Sequence, residues 1–207
     1  MTDHDRIADA LATERWLVVG DWLDTHLRQA LFDTARSRAA AGVLTPARVG
    51  RGNATLRTTE VRGDSIQWLE PDDPAPCVGV LLARLEGLRS ALNERLYLGL
   101  IASEAHFAHY PPGGAYRRHL DRFRDEDARA VSAVIHLGDP WQPRFGGELR
   151  IYLEGPDGEV SIDIAPEPGQ LVLFLSGEIE HEVLATQRDR YSVACWMRRR
   201  TARTLPL

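Results

Sequence analysis

The sequence predicts a mainly β fold with packed helices, of the sandwich or jelly-roll kind, on three observations. From about residue 96 the chain breaks into eight short strand candidates punctuated by Gly and Pro, at 98–110, 115–120, 130–137, 147–153, 159–165, 170–175, 181–185 and 190–198. Within them Leu149, Ile151 and Leu153 alternate with Arg150 and Tyr152, and Val160, Ile162 and Ile164 alternate with Ser161 and Asp163. That is the period of a half-buried strand. Ahead of them Leu81, Leu85, Leu88 and Leu92 fall at i, i+4, i+7 and i+11, one face of a helix able to pack on a sheet. The 207 residues suit one domain, 1–207, with 1–95 as mostly helical support plus a loop and 96–200 as the β core.

In chain order, residues 4–12 are a short helix and Trp16-Leu17-Val18-Val19 a short strand closed by Gly20. Asp21 or Asp24 caps a helix running to about Ala41, with Leu23, Leu27, Ala30 and Leu31 on one face and Gly42 ending it. Residues 46–60 are rich in Arg and Thr and carry Gly50 and Gly52, which suits an exposed hairpin or mobile loop. Val61 to Asp64 is a turn, Ile66 to Leu69 a strand, and Glu70 to Pro76, with three prolines, a loop. The run Leu171-Val172-Leu173-Phe174-Leu175 is apolar throughout and belongs to a central buried strand. Arg198 to Leu207 is a basic surface extension.

Composition narrows the function. Apolar content of 43% and charged content of 27% are ordinary for a soluble globular chain. The net charge of −5 argues against a nucleic-acid partner, and no apolar stretch is long enough to span a membrane. The N-terminus is polar and acidic, unlike a secretory signal, and Cys77 and Cys195 are isolated, so a cytoplasmic location is expected. All 25 basic residues are Arg, which removes a Schiff-base or P-loop lysine as the source of activity.

The chemistry lies in His119-Leu120-Asp121, with His181 sixty residues after Asp121 and Arg190 nine further on. On an extended strand i and i+2 share a face, so His119 and Asp121 can aim at one point. His181 from a distant strand completes two histidines and one carboxylate, a set suited to non-haem Fe(II) that leaves positions open for a cosubstrate and O₂. Arg190 supplies a rigid fork for a carboxylate, and Ser192 and Trp196 share its strand face. Singly, each has an ordinary reading: a surface strand pair, an exposed edge histidine, a salt-bridged arginine. Together, in a strand-rich half, they point to a metal site. His4 and His26 belong on the surface. His106 and His109, three apart on a strand, face opposite sides and make a poor chelate.

These residues sit in longer motifs. Tyr110-Pro111-Pro112-Gly113-Gly114-Ala115-Tyr116-Arg117-Arg118-His119-Leu120-Asp121 is followed by Gly146-Gly147-Glu148-Leu149-Arg150-Ile151-Tyr152, by His181-Glu182-Val183, and by Arg190-Tyr191 to Trp196. Upstream stands Val61-Arg62-Gly63-Asp64-Ser65-Ile66-Gln67-Trp68-Leu69. Over about residues 15–200 the chain resembles the 2-oxoglutarate- and Fe(II)-dependent prolyl hydroxylases, in particular the hypoxia-sensor (EGL-9-like) branch and its bacterial relatives.

The resemblance implies a double-stranded β-helix core with helices on its outer sheet. It implies Fe(II) at His119, Asp121 and His181, with O₂ and the cosubstrate 2-oxoglutarate, the latter held by Arg190. Ascorbate would act as a stimulant. Tyr110 falls near the cosubstrate, Tyr116 and Arg129 on the substrate approach, Trp196 near the iron, and Arg62 and Asp64 at the base of the substrate loop. One departure stands out: the family tyrosine that donates to the distal carboxylate falls at about His136. An imidazole N–H can donate there, more strongly when protonated, so cosubstrate affinity is expected to fall as pH rises. The implied activity is that of a peptidyl-prolyl 4-hydroxylase on a proline-containing protein, a translation elongation factor being one target among bacterial relatives. The alternatives are an oxygenase of another side chain or small molecule, and a non-catalytic metal-binding jelly-roll module.

Overall fold

In the computed structural model, residues 3–47, 61–122 and 128–200 are described. They form three helices and eleven strands: α1 (Asp3–Glu14), β1 (Trp16–Val19), α2 (Thr25–Ala40), β2 (Thr45–Pro46), β3 (Ser65–Trp68), α3 (Pro76–Leu96), β4 (Leu100–Tyr110), β5 (Tyr116–His119), β6 (Arg129–Leu137), β7 (Leu149–Gly155), β8 (Gly158–Ile164), β9 (Leu171–Leu175), β10 (Glu180–Val183) and β11 (Arg190–Arg199). Two sheets result, a seven-stranded one in the order β1-β9-β6-β11-β4-β3-β2 and a four-stranded one in the order β5-β10-β7-β8. Every named ladder is antiparallel. This is the expected jelly roll, its large sheet widened by β1, β2 and β3 from the first ninety-five residues.

Local chemistry accounts for the helices. Asp24, not Asp21, is the cap of α2: its Oδ1 accepts from the Leu27 amide at 3.0 Å. Gly42 ends the helix in the left-handed region at φ 71°. Pro76 opens α3, where a missing N–H costs nothing. Just ahead of it Asp73 accepts from the Ala75 amide at 2.9 Å and meets both Nη atoms of Arg38 at 2.6 and 2.7 Å, tying α2 to the start of α3. Val78, Leu81, Leu85, Leu88 and Leu92 are the buried face of α3. Burying each such side chain contributes about 1.5–3 kcal/mol.

The core has two layers, and the strands sort their residues between them. Leu171 and Leu173 face the helices, whereas Val172 and Phe174 face the small sheet, so β9 is apolar on both sides. On β11, Tyr191, Val193, Cys195 and Met197 face the helices, which turns Arg190, Ser192, Ala194 and Trp196 inward. On β6, Val131, Ala133, Ile135 and Leu137 do the same, turning Ser132, Val134 and His136 inward. On β4, Ala105 and Phe107 pack outward and His106, Ala108 and Tyr110 inward. The polar side chains buried in these three strands therefore share the space between the sheets.

Some expectations shift. The 46–60 loop falls mostly on residues 48–60, outside the described residues; Thr45–Pro46 pairs with Ile66 and Ser65. Arg198 and Arg199 are the end of β11 rather than a loose extension, and 201–207 lie outside the described residues. Among the described residues no helix is long and apolar enough to cross a membrane.

Candidate active site

His119 and His181 are register partners on β5 and β10 of the small sheet. β5 ends at His119, so strand alternation does not bring Asp121 alongside, as expected from sequence; a bend after the strand does. The Arg122 amide fixes that bend by donating to the Ser176 carbonyl at 3.2 Å. Asp121 Oδ1 then lies 3.5 Å from His119 Nε2, and Oδ2 lies 3.6 Å from His181 Nε2. The three donor groups sit within 4.8 Å of one another.

Their protonation suits a cation. His119 Nδ1 faces the Arg117 carbonyl at 2.7 Å, and His181 Nδ1 faces the Ile179 carbonyl at 3.2 Å. A carbonyl only accepts, so each Nδ1 carries the proton and each Nε2 lone pair faces the site. Burial holds the His181 pKa down at about 4, so the ring is neutral. Burial of Asp121 works toward its acid form, but His181, His119 and Ser132 outweigh it and keep the carboxylate ionised. Two imidazoles and one carboxylate, with no fourth protein ligand among the described residues, match an Fe(II) facial triad.

A buried hydroxyl chain aims the carboxylate. Ser132 Oγ donates to Asp121 Oδ2 at 2.7 Å and lies 2.8 Å from Ser176 Oγ. Ser132 has one hydrogen, committed to the carboxylate, so Ser176 donates to Ser132. Partners of this kind typically carry about 10–100-fold in metal affinity. Ser132→Ala is expected to weaken Mn(II) binding by that factor in a competition titration, and Ser132→Thr to restore it. Unchanged affinity in the alanine variant would mean that Asp121 is aimed by its backbone alone.

Arg190, expected as the carboxylate clamp, lies in the core between the sheets. It is 1% exposed. Its Nε donates to the Gly147 carbonyl at 2.8 Å, its Nη1 to Ser192 Oγ at 3.4 Å and its Nη2 to His136 Nδ1 at 3.3 Å. The close approach needs glycine: a Cβ on Gly147, at φ 74°, would meet Arg190 Cδ at 3.2 Å and Thr186 at 3.1 Å. The Tyr110 ring centre lies 5.3 Å from the guanidinium carbon. Among the described residues no carboxylate forms an ion pair with Arg190, and burial works against its charge. A buried cation with three neutral partners fits an anionic ligand.

His136 stands beside Arg190 as expected, but not as an imidazolium. Burial first, then the Arg190 charge, pushes its pKa well below 6.5. Arginine only donates, so Nδ1 accepts and the proton sits on Nε2, which is buried without a partner. In the cosubstrate-free protein the imidazolium that the expected pH dependence needs is therefore disfavoured.

Toward the surface, Arg62 holds Asp64 bidentately at 2.7 and 3.0 Å, and its guanidinium carbon lies 4.7 Å from the Tyr116 ring centre. Tyr116 in turn stacks on His119 at 3.7 Å between centroids. Arg129 lies over Trp196 at 3.5 Å, donates to the Asp121 carbonyl at 3.4 Å and pairs with Glu104 at 3.1 Å. Arg62, Tyr110, Tyr116, Trp196, Arg190 and Ser192 all line one cavity with the triad.

Three site residues were missed from sequence. Ser132 and Ser176 have no motif; the available signal was Ser132 sharing a strand phase with His136 in an otherwise apolar run. For His106 the sequence predicts only that it opposes His109 on the strand. That opposition holds: His109 stacks on Tyr191 at 4.5 Å on the helix side, while His106 lines the cavity.

Comparison with known proteins agrees with this geometry. The family model of the 2OG-Fe(II) oxygenase superfamily matches residues 105–198, the span that carries His119, Asp121, His181 and Arg190. A Pseudomonas putida prolyl-4-hydroxylase superposes with a TM-score of 0.85 at 46% identity, over 96% of this chain and 100% of that one. A Trichoplax adhaerens prolyl hydroxylase, solved with a hypoxia inducible factor oxygen degradation domain peptide fragment, has a TM-score of 0.85 at 23% identity, a likeness of fold, over 94% of this chain and 88% of that one. Human Egl nine homolog 1 is 30% identical over 186 residues, which is 86% of this chain and 42% of that protein. The chain thus spans about two-fifths of the length of that relative.

Proposed function

The chain belongs to the 2-oxoglutarate- and Fe(II)-dependent oxygenase superfamily, and from that premise we propose that it hydroxylates prolyl residues in a protein substrate. It is a 2-oxoglutarate-dependent dioxygenase whose cofactor set is Fe(II), 2-oxoglutarate and O₂. When bound, the iron and cosubstrate supply the oxidising power: 2-oxoglutarate loses CO₂ to become succinate, one oxygen atom of O₂ going to it and the other into a substrate C–H bond.

The chain's own residues do the holding and orienting. His119, Asp121 and His181 present two lone pairs and one carboxylate to the metal, leaving its remaining positions free. Arg190 and the Ser192 hydroxyl would hold the distal carboxylate of 2-oxoglutarate, and the neutral His136 would supply a further N–H. Tyr110, whose hydroxyl burial keeps protonated, closes the same pocket. Arg62, paired with Asp64, and Tyr116 form the wall by which a peptide would enter, with Arg129 fixing Trp196 opposite. The observation that carries the reading is the uncompensated buried guanidinium of Arg190 sharing one cavity with an open triad. A structural metal module would close its coordination sphere with protein ligands.

The protein as substrate is supported by the 46% identity with a prolyl-4-hydroxylase and by the fold shared with an enzyme solved on a peptide. An elongation factor is the target to inspect first. The test is mass spectrometry of cell extract incubated with protein, Fe(II) and 2-oxoglutarate. A gain of one oxygen on proline, assigned to C4 by amino-acid analysis, is expected. Oxygen on another side chain, or on small molecules alone, would transfer the activity to those substrates.

The neutral His136 gives a pH expectation. A histidine whose pKa is driven below 6.5 stays neutral at every pH above that value, and its N–H donates unchanged. Cosubstrate affinity should be flat from pH 6.5 to 8.5 and equally flat in His136→Tyr. A fall with pH that the tyrosine variant abolishes would reinstate the imidazolium.

A further inference from the structure

We propose that His106 grips the substrate backbone, its ring N–H donating to a peptide carbonyl that flanks the target proline. The inference rests on the prolyl hydroxylase reading. His106 lies on the inner face of β4, in register with Trp68 of β3 and Ala194 of β11. It is 1% exposed and lines the cavity that holds the triad. Its ring centre is 4.9 Å from that of Trp68 and 5.0 Å from that of Trp196. Trp68, 43% exposed, continues the wall to the surface.

Neither the metal nor the cosubstrate has a use for this side chain. The donor atoms close enough to share an ion come from His119, Asp121 and His181, not from His106. The Arg190 guanidinium meets Gly147, Ser192 and His136 instead. Meanwhile His106 Nδ1 is buried with no hydrogen-bond partner. Such a group costs stability, a cost that Phe or Leu between two tryptophans avoids. A polar ring kept in the aromatic wall of a reaction cavity, one nitrogen sealed at Nδ1 and the other left for the cavity, fits a ligand.

The chemistry of the ring selects the partner. Burial first, then Arg62 and Arg129, holds the His106 pKa down at about 3, so the ring is neutral with one N–H and one lone pair. A sealed orphan lone pair is tolerated better than a sealed orphan N–H, which places the lone pair at Nδ1 and the proton at Nε2. The nearby cations are already matched, Arg62 by Asp64 and Arg129 by Glu104. The partner is therefore a neutral acceptor. Around a proline the peptide offers just that: the ring nitrogen carries no hydrogen, so the groups flanking it are carbonyls.

The test uses a library of 13-residue peptides, each with one central proline in random sequence, on the Fe(II)-loaded protein. The best-used member then serves for kinetics. His106→Phe keeps the ring and loses the donor; its peptide KM is expected to rise about tenfold, the loss of one hydrogen bond. Dissociation constants for Mn(II) and 2-oxoglutarate should stay within about twofold, and His106→Asn, which keeps an N–H, should recover most of the KM. Replacing one of the two flanking carbonyls by the poorer acceptor of a thioamide should raise KM for the parent and not for His106→Phe. An unchanged KM in His106→Phe, thioamide effects equal in both proteins, or metal and cosubstrate binding lost in step with KM would overturn the proposal. A parent protein that turns over no member of the library would bring down the prolyl reading itself.

Discussion

His181→Ala protein is expected to fold, to bind Mn(II) at least about 100-fold more weakly, and to turn over no substrate, since a lost ligand costs more than a lost partner of a ligand. The reason is countable. Among the described residues the site offers three donors and no spare: the group close enough to share an ion ends at His119, Asp121 and His181. Asp121→Ala should behave alike and also strand the Ser132 hydroxyl that now points at Oδ2. Metal titration and turnover on the same preparation check both, with circular dichroism as the folding control. Near-parental turnover in His181→Ala would dismantle the triad.

Arg190→Met should separate binding from stability in opposite directions. Removing one partner of a buried charge pair costs about 3–5 kcal/mol, so 2-oxoglutarate binding should weaken by about two to four orders of magnitude while Mn(II) affinity holds. Without cosubstrate no carboxylate among the described residues forms an ion pair with the arginine, and burial outweighs the support its charge receives from Tyr110, Asp64 and Glu148. The thioether has no such cost, so the urea midpoint of the cosubstrate-free protein should rise or stay level. A lower midpoint with intact 2-oxoglutarate binding would make Arg190 a structural residue and move the carboxylate elsewhere.

Much of this site was legible because its residues lie on strands with strict alternation. His181, Arg190, Ser192 and Trp196 fall in phases that their apolar neighbours define, and the motifs around His119 mark the other sheet. Asp121 was placed correctly for an incorrect reason: it lies past the end of β5, and the bend that returns it depends on the distant Ser176 carbonyl. No local pattern encodes that contact. The charge of His136 was equally hidden, because it follows from total burial beside Arg190, and sequence spacing reports neither. His106 shows a further limit: alternation sets it opposite His109, but which of the two faces the cavity depends on the packing of the helices against β4.

The sorting of residues between two faces also limits how the gene can change. β11 lies between β4 and β6 for nearly its whole length, with apolar side chains on the helix side and the arginine clamp, Ser192 and Trp196 on the other. Substitution can tune any one of these positions separately. Insertion or deletion of a single residue cannot, because every side chain beyond it exchanges faces: Tyr191 and Val193 would enter the cavity between the sheets while Arg190 met the leucines of the helical layer. A change of length is expected to be tolerated instead at places such as the Gly155–Gly158 turn, which joins β7 to the edge strand β8 of the small sheet and carries none of the site residues.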